Sequence, residues 1–219
     1  MYTHVIFDLD GTLLNTIDDL ADACNHVAEL HGWPTHTIEE YKYFVGNGMA
    51  RLAERFVPED WRTPEGVRQV LEEFMPYYDA HKEDKTAPYA GMPQAAAKLR
   101  EEGVSIAVLS NKADQMAGPV VEHYYPGIFP LVQGAVDGLP VKPDPTLLLR
   151  LMERMGADPA RTLFVGDSNV DIQTAKNGCL TSCGVLWGFR SREELEREGA
   201  DFLAENTDEL KAVILGHGK

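Results

Sequence analysis

An apolar run near the start of the chain stops at two carboxylates. Val5-Ile6-Phe7 leads into Asp8-Leu9-Asp10-Gly11-Thr12, followed by Leu13-Leu14. A buried strand that ends in Asp-x-Asp sets both acids at its carboxyl end, where open α/β sheets bind ligands. Carboxylates this close repel unless a cation, a proton or a network of phosphoryl oxygens holds them. The segment points to a metal and to a carboxylate that can attack.

More polar residues follow later apolar runs. Residues 104–109 run into Ser110-Asn111-Lys112, and residues 162–165 into Gly166-Asp167-Ser168 and then Asn169-Val170-Asp171. Lys142 stands on a loop, Val141-Lys142-Pro143-Asp144-Pro145, just before a helix. Gathered above one edge of a parallel sheet, this set suits phosphoryl transfer. A phosphate monoester resists attack by an anion, and magnesium on carboxylates would neutralise and orient it. One aspartate can then attack phosphorus, and a second carboxyl can protonate the leaving alcohol. A hydroxyl and a lysine can hold the phosphoryl oxygens. Singly, each residue also has an ordinary use as a helix cap, a solvated strand end or a surface charge; together, in this order, they form a constellation.

The elements that must position them fall into two patterns. Residues 3–8 read as a buried strand, and residues from about 16 to 82 read as wholly helical. Ile17, Leu20, Ala21, Cys24, Val27, Ala28 and Leu30 recur at helix spacing, and Gly32 with Pro34 ends that helix. Thr37 caps a second helix, a third follows Gly46-Asn47-Gly48, and Thr63-Pro64 opens a fourth. From about residue 90 onward, continuous apolar strands alternate with helices, which predicts a parallel sheet covered on both faces. Ser191 with Glu194 predicts a capping box for a late helix. The expected fold is α/β: a doubly wound, Rossmann-like core of residues 1–14 and 85–219. A small all-helical cap domain, residues 15–84, is inserted after the first strand. Linkers near Leu13–Asn15 and Asp84–Tyr89 would form a hinge, so the cap could act as a lid.

Composition narrows the partners. A net charge of -15 argues against a nucleic-acid surface and against an anionic membrane. No apolar run reaches the roughly 18 residues of a membrane span, and the start lacks a signal-type apolar region. Cys24, Cys179 and Cys183 form no Cys-x-x-Cys pair and read as small buried thiols of a cytoplasmic protein. No heptad pattern indicates an oligomeric state.

At these residues the chain resembles the haloacid dehalogenase superfamily of phosphohydrolases, over its whole length. The Phe7-Asp8-Leu9-Asp10-Gly11-Thr12-Leu13 segment is the specific signal, and a helical insert after it matches the subfamily with a helical cap. The resemblance implies that Asp8 is the nucleophile and a ligand of Mg2+. Asp10 would be the general acid/base and give its backbone carbonyl to the metal, and Asp167 would be a further ligand. Ser110, Asn111 and Lys142 would bind phosphate. Asp171 would support Lys142 or a metal-bound water, with Ser168 beside it. Dehalogenation does not use an acid/base two residues after the nucleophile, so Asp10 favours phosphatase chemistry.

Within the superfamily the pattern looks most like the phosphoglycolate phosphatases, although Asn15-Thr16 stands where those often show Asp-Ser. Both Asn and Asp cap helices, so the change does not touch the chemistry. The implied activity is Mg-dependent hydrolysis of a small phosphorylated metabolite through an aspartyl-phosphate. A sugar phosphomutase, a pyrophosphatase and a non-catalytic phospho-ligand-binding protein remain open as alternatives. Substrate choice is expected of the cap, where backbone N–H groups of Gly46, Asn47 and Gly48 and the charge of Arg51 could meet an anion. Trp187 and Phe189 are expected to pack in the core.

Overall fold

A computed structural model gives the fold and describes residues 1–216. The strands, in chain order, are β1 (His4–Phe7), β2 (Leu14–Asn15), β3 (Ala87–Pro88), β4 (Ser105–Ala113), β5 (Val132–Ala135), β6 (Thr162–Gly166), β7 (Thr181–Val185) and β8 (Phe202–Ala204). The helices are α1 (Ile17–Leu30), α2 (Ile38–Phe44), α3 (Met49–Phe56), α4 (Pro64–His81), α5 (Met92–Glu101), α6 (Asp114–Tyr124), α7 (Thr146–Met155), α8 (Asn169–Asn177), α9 (Arg192–Arg197) and α10 (Thr207–Leu215). The chain divides into two compact units: Met1–Leu14 with the chain from Pro88 onward, and Asn15–Ala87.

The first unit is a six-stranded parallel sheet in the order β5-β4-β1-β6-β7-β8. Its central strands are apolar on both faces because helices cover both. Alternation along each strand sorts the core. Val5, Phe7, Ile106, Val108, Leu163 and Val165 enter one cluster with Met92 and Leu99 of α5, Val120 of α6 and Leu210 of α10. Ile6, Ala107, Leu109 and Phe164 point the other way, onto Leu147, Leu148 and Leu151 of α7 and Ala175 of α8. Burying a side chain such as Phe7 or Leu148 fully is worth roughly 1.5–3 kcal/mol.

Strand order creates the site. From β1 the chain builds outward through β4 and β5, then returns to the other side of β1 as β6. The direction of winding reverses between β4 and β6, and a crevice opens above the carboxyl end of β1.

The second unit is helical. Leu20, Ala21, Cys24, Val27 and Ala28 of α1 are buried, as are Val67, Val70, Phe74 and Tyr78 of α4, and the two helices pack against each other. Thr37 and Glu40 form a reciprocal capping box on α2, and Thr63 accepts from the Gly66 N–H on α4. Asp19, buried, accepts from the N–H groups of Lys85 and Thr86 and from the Thr86 hydroxyl. The chain as far as Ala87 is thereby tied to α1.

Three local expectations are corrected. The strand expected to stop at Leu109 runs on through Ala113, with a register shift against β5 between Leu109 and Ala113. Ser191 does cap α9, but Glu194 does not return the bond; its carboxylate lies 3.3 Å from Arg190 Nε instead. Cys24 and Cys183 are buried, whereas Cys179 is exposed in a left-handed turn (φ 56°) after α8. No helix among the described residues is long and apolar enough to cross a membrane.

Candidate active site

Asp8 follows directly from β1, and its N–H bonds the Val165 carbonyl of β6 at 2.8 Å. The next residues fold back tightly: the N–H groups of Thr12, Leu13 and Leu14 all reach the Leu9 carbonyl. This turn presents Asp8 and Asp10 to the crevice.

Lys142 ties the site together. Its ammonium lies 2.7 Å from Asp8 Oδ1 and 2.7 Å from Asp171 Oδ1, and the lysine is buried. Burial disfavours its charge, but Asp171 and Asp8 outweigh that and hold the ammonium above the ordinary lysine range. Asp171 spends its other oxygen on Ser168, accepting from the N–H at 3.1 Å and the hydroxyl at 2.7 Å. The same contacts start α8 with a capping box. Asn111 holds the backbone of Lys142, accepting its N–H at 2.8 Å and donating to its carbonyl at 3.0 Å. Those two bonds give the Asn111 amide a positioning task. Ser110, buried on β4, accepts the Lys112 N–H at 3.1 Å.

Asp167 ends β6 fully enclosed. One oxygen accepts the Thr12 hydroxyl at 3.2 Å, the other the Phe189 N–H at 2.8 Å. A side chain at Gly11 or Gly188 would overlap the Asp167 carboxyl, and one at Gly166 would overlap Asp171. Glycine at these places lets backbone close around the acids.

Carboxylate oxygens of Asp8, Asp167 and Asp171 lie within 4.8 Å of one another. Burial pushes Asp8 well above the usual carboxylate range, and Asp171 and Asp167 add to that against the pull of Lys142. Burial, with Asp171, lifts Asp167 to about 7, although the Phe189 N–H, Arg190 and Thr12 work against the rise. The cluster is short of positive charge. Its donors are all hard oxygens, which fits a small divalent cation. Asp171 is engaged by the Lys142 ammonium and by Ser168, whereas the donors to Asp167 are a neutral hydroxyl and a backbone N–H, so Asp167 competes less with a lysine for a cation than Asp171 does.

Sequence reasoning missed Lys112, Thr12 and the Phe189 N–H. Lys112 is buried with Nζ 3.3 Å from Asp10 Oδ1. The only sequence signal was its position, two residues past Ser110 at the end of an apolar run. Phe189 does pack in the interior, and Trp187 donates to the Thr12 carbonyl at 3.0 Å.

The residues singled out in the helical unit form a group of their own. Gly48 starts α3 with φ 85°, and Asn47 accepts from Arg55 at 2.8 Å. Arg51 is largely exposed and donates to Glu54 at 2.5 Å. Arg55, missed in the sequence, also binds the Phe44 carbonyl at 2.7 Å and so braces the turn. Arg51, Arg55 and Arg62, with Tyr43, Phe44 and Glu54, line an open cleft of about 570 Å³.

A doubly wound sheet with one buried and one half-buried acid after β1, a buried lysine and a second acidic loop at its switch point is an arrangement suited to a phosphatase-type hydrolase. The chain belongs to the haloacid dehalogenase-like hydrolase family, whose model matches residues 5–185. Among curated relatives, a phosphoglycolate phosphatase of Pseudomonas putida is 33% identical, over 97% of this chain and 78% of that protein. One from Aquifex aeolicus is 27% identical, over 97% of both. A crystal structure from Lactobacillus delbrueckii subsp. bulgaricus, assigned provisionally as a phosphoglycolate phosphatase, has 34% identity and a TM-score of 0.93. That match covers 98% of this chain and 99% of the other.

Proposed function

We propose that this chain hydrolyses the phosphate monoester of a small metabolite, with phosphoglycolate as the first candidate. The contrast between its two leading acids carries the reading. Asp8 is buried against Lys142 and Asp171, whereas Asp10 is more open and paired with Lys112. Two acids in unlike settings suit two unlike tasks.

Asp8 attacks phosphorus, the leaving oxygen departs with a proton from Asp10, and an aspartyl-phosphate remains. Water then attacks the same phosphorus, Asp10 takes its proton, and Asp8 is released. Lys142 and Ser110 hold phosphoryl oxygens, and Asp171 steadies Lys142. Asp8, Asp167 and the Asp10 carbonyl would hold Mg2+, which supplies positive charge to phosphate and nucleophile. We assign the helical unit, residues 15–87, the role of a cap that discriminates between substrates, its arginine-lined cleft being suited to anions. Relatives named phosphoglycolate phosphatase over nearly the full chain support this substrate ahead of others.

The test is phosphate release from a panel of phosphorylated metabolites, with and without magnesium, ranked by kcat/KM. The reading expects magnesium-dependent release, highest for phosphoglycolate. An isomerised sugar phosphate without release would make the protein a mutase. No turnover of any substrate would make it a binding protein.

A further inference from the structure

We propose that Lys112 is a positioning residue for Asp10, fixing the carboxyl that exchanges protons with the leaving group. This inference rests on the proton-transfer role proposed for Asp10. Lys112 lies on β4 two residues beyond Ser110, where the strand continues past the apolar run. Its side chain is only 1% exposed, and its ammonium lies 3.3 Å from Asp10 Oδ1. The Asp10 side chain is 15% exposed.

Burying an ammonium is costly unless a partner meets it, and the cost rises with enclosure. A lysine whose only task was packing would be replaced at lower cost by an apolar side chain. Here a strand buried on both sides carries the charge inward to the acid two residues after the proposed nucleophile. The backbone of β4 sets where the lysine starts, and the Lys112 N–H is itself bonded to the Ser110 hydroxyl at 3.1 Å. One element therefore places both a proposed phosphate-binding hydroxyl and the cation that orients the proton carrier.

Lys112 engages Asp10 through Oδ1. Oδ2 is then the oxygen assigned to carry the proton. In the first half-reaction the bond from phosphorus to the leaving oxygen breaks as Asp8 bonds phosphorus, and the proton on Oδ2 passes to the departing oxygen. In the second, water oxygen bonds phosphorus, the bond to Asp8 breaks, and a water proton returns to Oδ2. A free carboxyl would sample several rotamers; one held through Oδ1 keeps Oδ2 directed.

The experiment compares two leaving groups in the full-length, magnesium-loaded protein. Nitrophenolate leaves without a proton, whereas an alkoxide needs one. We measure kcat/KM of Lys112→Met, Lys112→Arg and Asp10→Asn for 4-nitrophenyl phosphate and for the best alkyl phosphate of the panel. General acid catalysis is worth about 10²–10⁴-fold. Lys112→Met is expected to lose at least about tenfold more on the alkyl than on the aryl substrate, and Lys112→Arg to recover part of that selective loss. Should the Met variant not fold, Lys112→Gln takes its place under the same criterion.

Equal losses on both substrates, alongside a selective loss in Asp10→Asn, would overturn the role of Lys112 and leave that of Asp10 standing. Absence of selectivity in Asp10→Asn would overturn both roles.

Discussion

Asn111 grips Lys142 through the main chain: its amide oxygen takes the lysine N–H at 2.8 Å and its amide nitrogen meets the lysine carbonyl at 3.0 Å. The pair joins β4 to the loop before α7, with α6 and β5 between them in the chain. Replacing Asn111 by Ala leaves two buried backbone groups without these partners. Each unmet group costs about 1–3 kcal/mol, and Lys142 loses the brace that aims it at Asp8. Asn111→Ala is expected to lower the denaturation midpoint and to cut kcat/KM. Urea unfolding measures the first effect and phosphate release the second. Unchanged values of both would show that the loop holds Lys142 without help.

Asp8→Asn separates chemistry from folding. Turnover should fall by at least about 10³-fold, as when other enzymes lose a nucleophile. The fold should survive, because the ionised Asp8 is a burden on the metal-free protein: burial and two neighbouring acids oppose its charge. Removing that charge should leave the melting temperature in a chelator equal or higher, while Lys142 keeps Asp171 as its partner. Substantial turnover in the folded variant would remove Asp8 as nucleophile.

The division between what the sequence revealed and what it hid follows from burial. Asp8, Ser110 and Asp167 were legible because each interrupts or ends an apolar strand, and a parallel sheet brings such positions to one edge. The helical stretch was legible from its helix spacing, and the sheet from continuous apolar runs alternating with helices. Lys112 was hidden because the expected strand stopped at the first polar residue. In fact β4 carries Ser110, Asn111 and Lys112 inward, each of them buried. Whether a lysine is solvated or buried depends on what faces it across the turn after β1, which spacing does not encode. The Phe189 N–H was invisible for the same reason, since backbone donors carry no sequence signature. Arg51 read as a free charge, yet Glu54 three residues later was in plain view as its helical partner.

Metal and proton should compete at the acid cluster. Asp8 and Asp167 are raised above their ordinary value of 3.8, Asp167 to about 7, first by burial and then by neighbouring acids. An acid raised on folding binds its proton more tightly in the folded state. Between about pH 4 and pH 7 the unfolded chain has released protons that the folded protein keeps, so stability falls as pH rises. Below that window both states are protonated and the penalty is absent. A divalent cation needs the deprotonated acids, so its stabilising effect should grow over the same window. The rise in melting temperature on adding magnesium should be larger at about pH 8 than at about pH 5, and Asp167→Asn should flatten the difference. A magnesium shift that is the same at both pH values would contradict this account.

Gly188 tests how closely the backbone must approach Asp167. A Cβ built there would overlap the Asp167 side chain, and the carboxyl carbon would sit only 2.7 Å away. Neither the acid nor the turn after β1 has room to retreat, because Asp167 is held by Thr12 and Phe189. Overpacking a rigid site costs about 1–3 kcal/mol, so Gly188→Ala should lower stability by that order. It should also weaken magnesium binding, measured by calorimetric titration, as the displaced carboxylate leaves its place beside Asp8. Gly118, inside α6 just before Pro119, has open space where a Cβ would stand and is the comparison site. There the added methyl meets no neighbouring side chain, and although Pro119, next in the chain, takes away the usual helix gain of alanine over glycine, magnesium affinity should stay untouched. If both alanines behaved alike, crowding at Asp167 would not be the reason for glycine at 188. A selective loss at 188 would tie the residue to the acid that the second half of the sheet contributes.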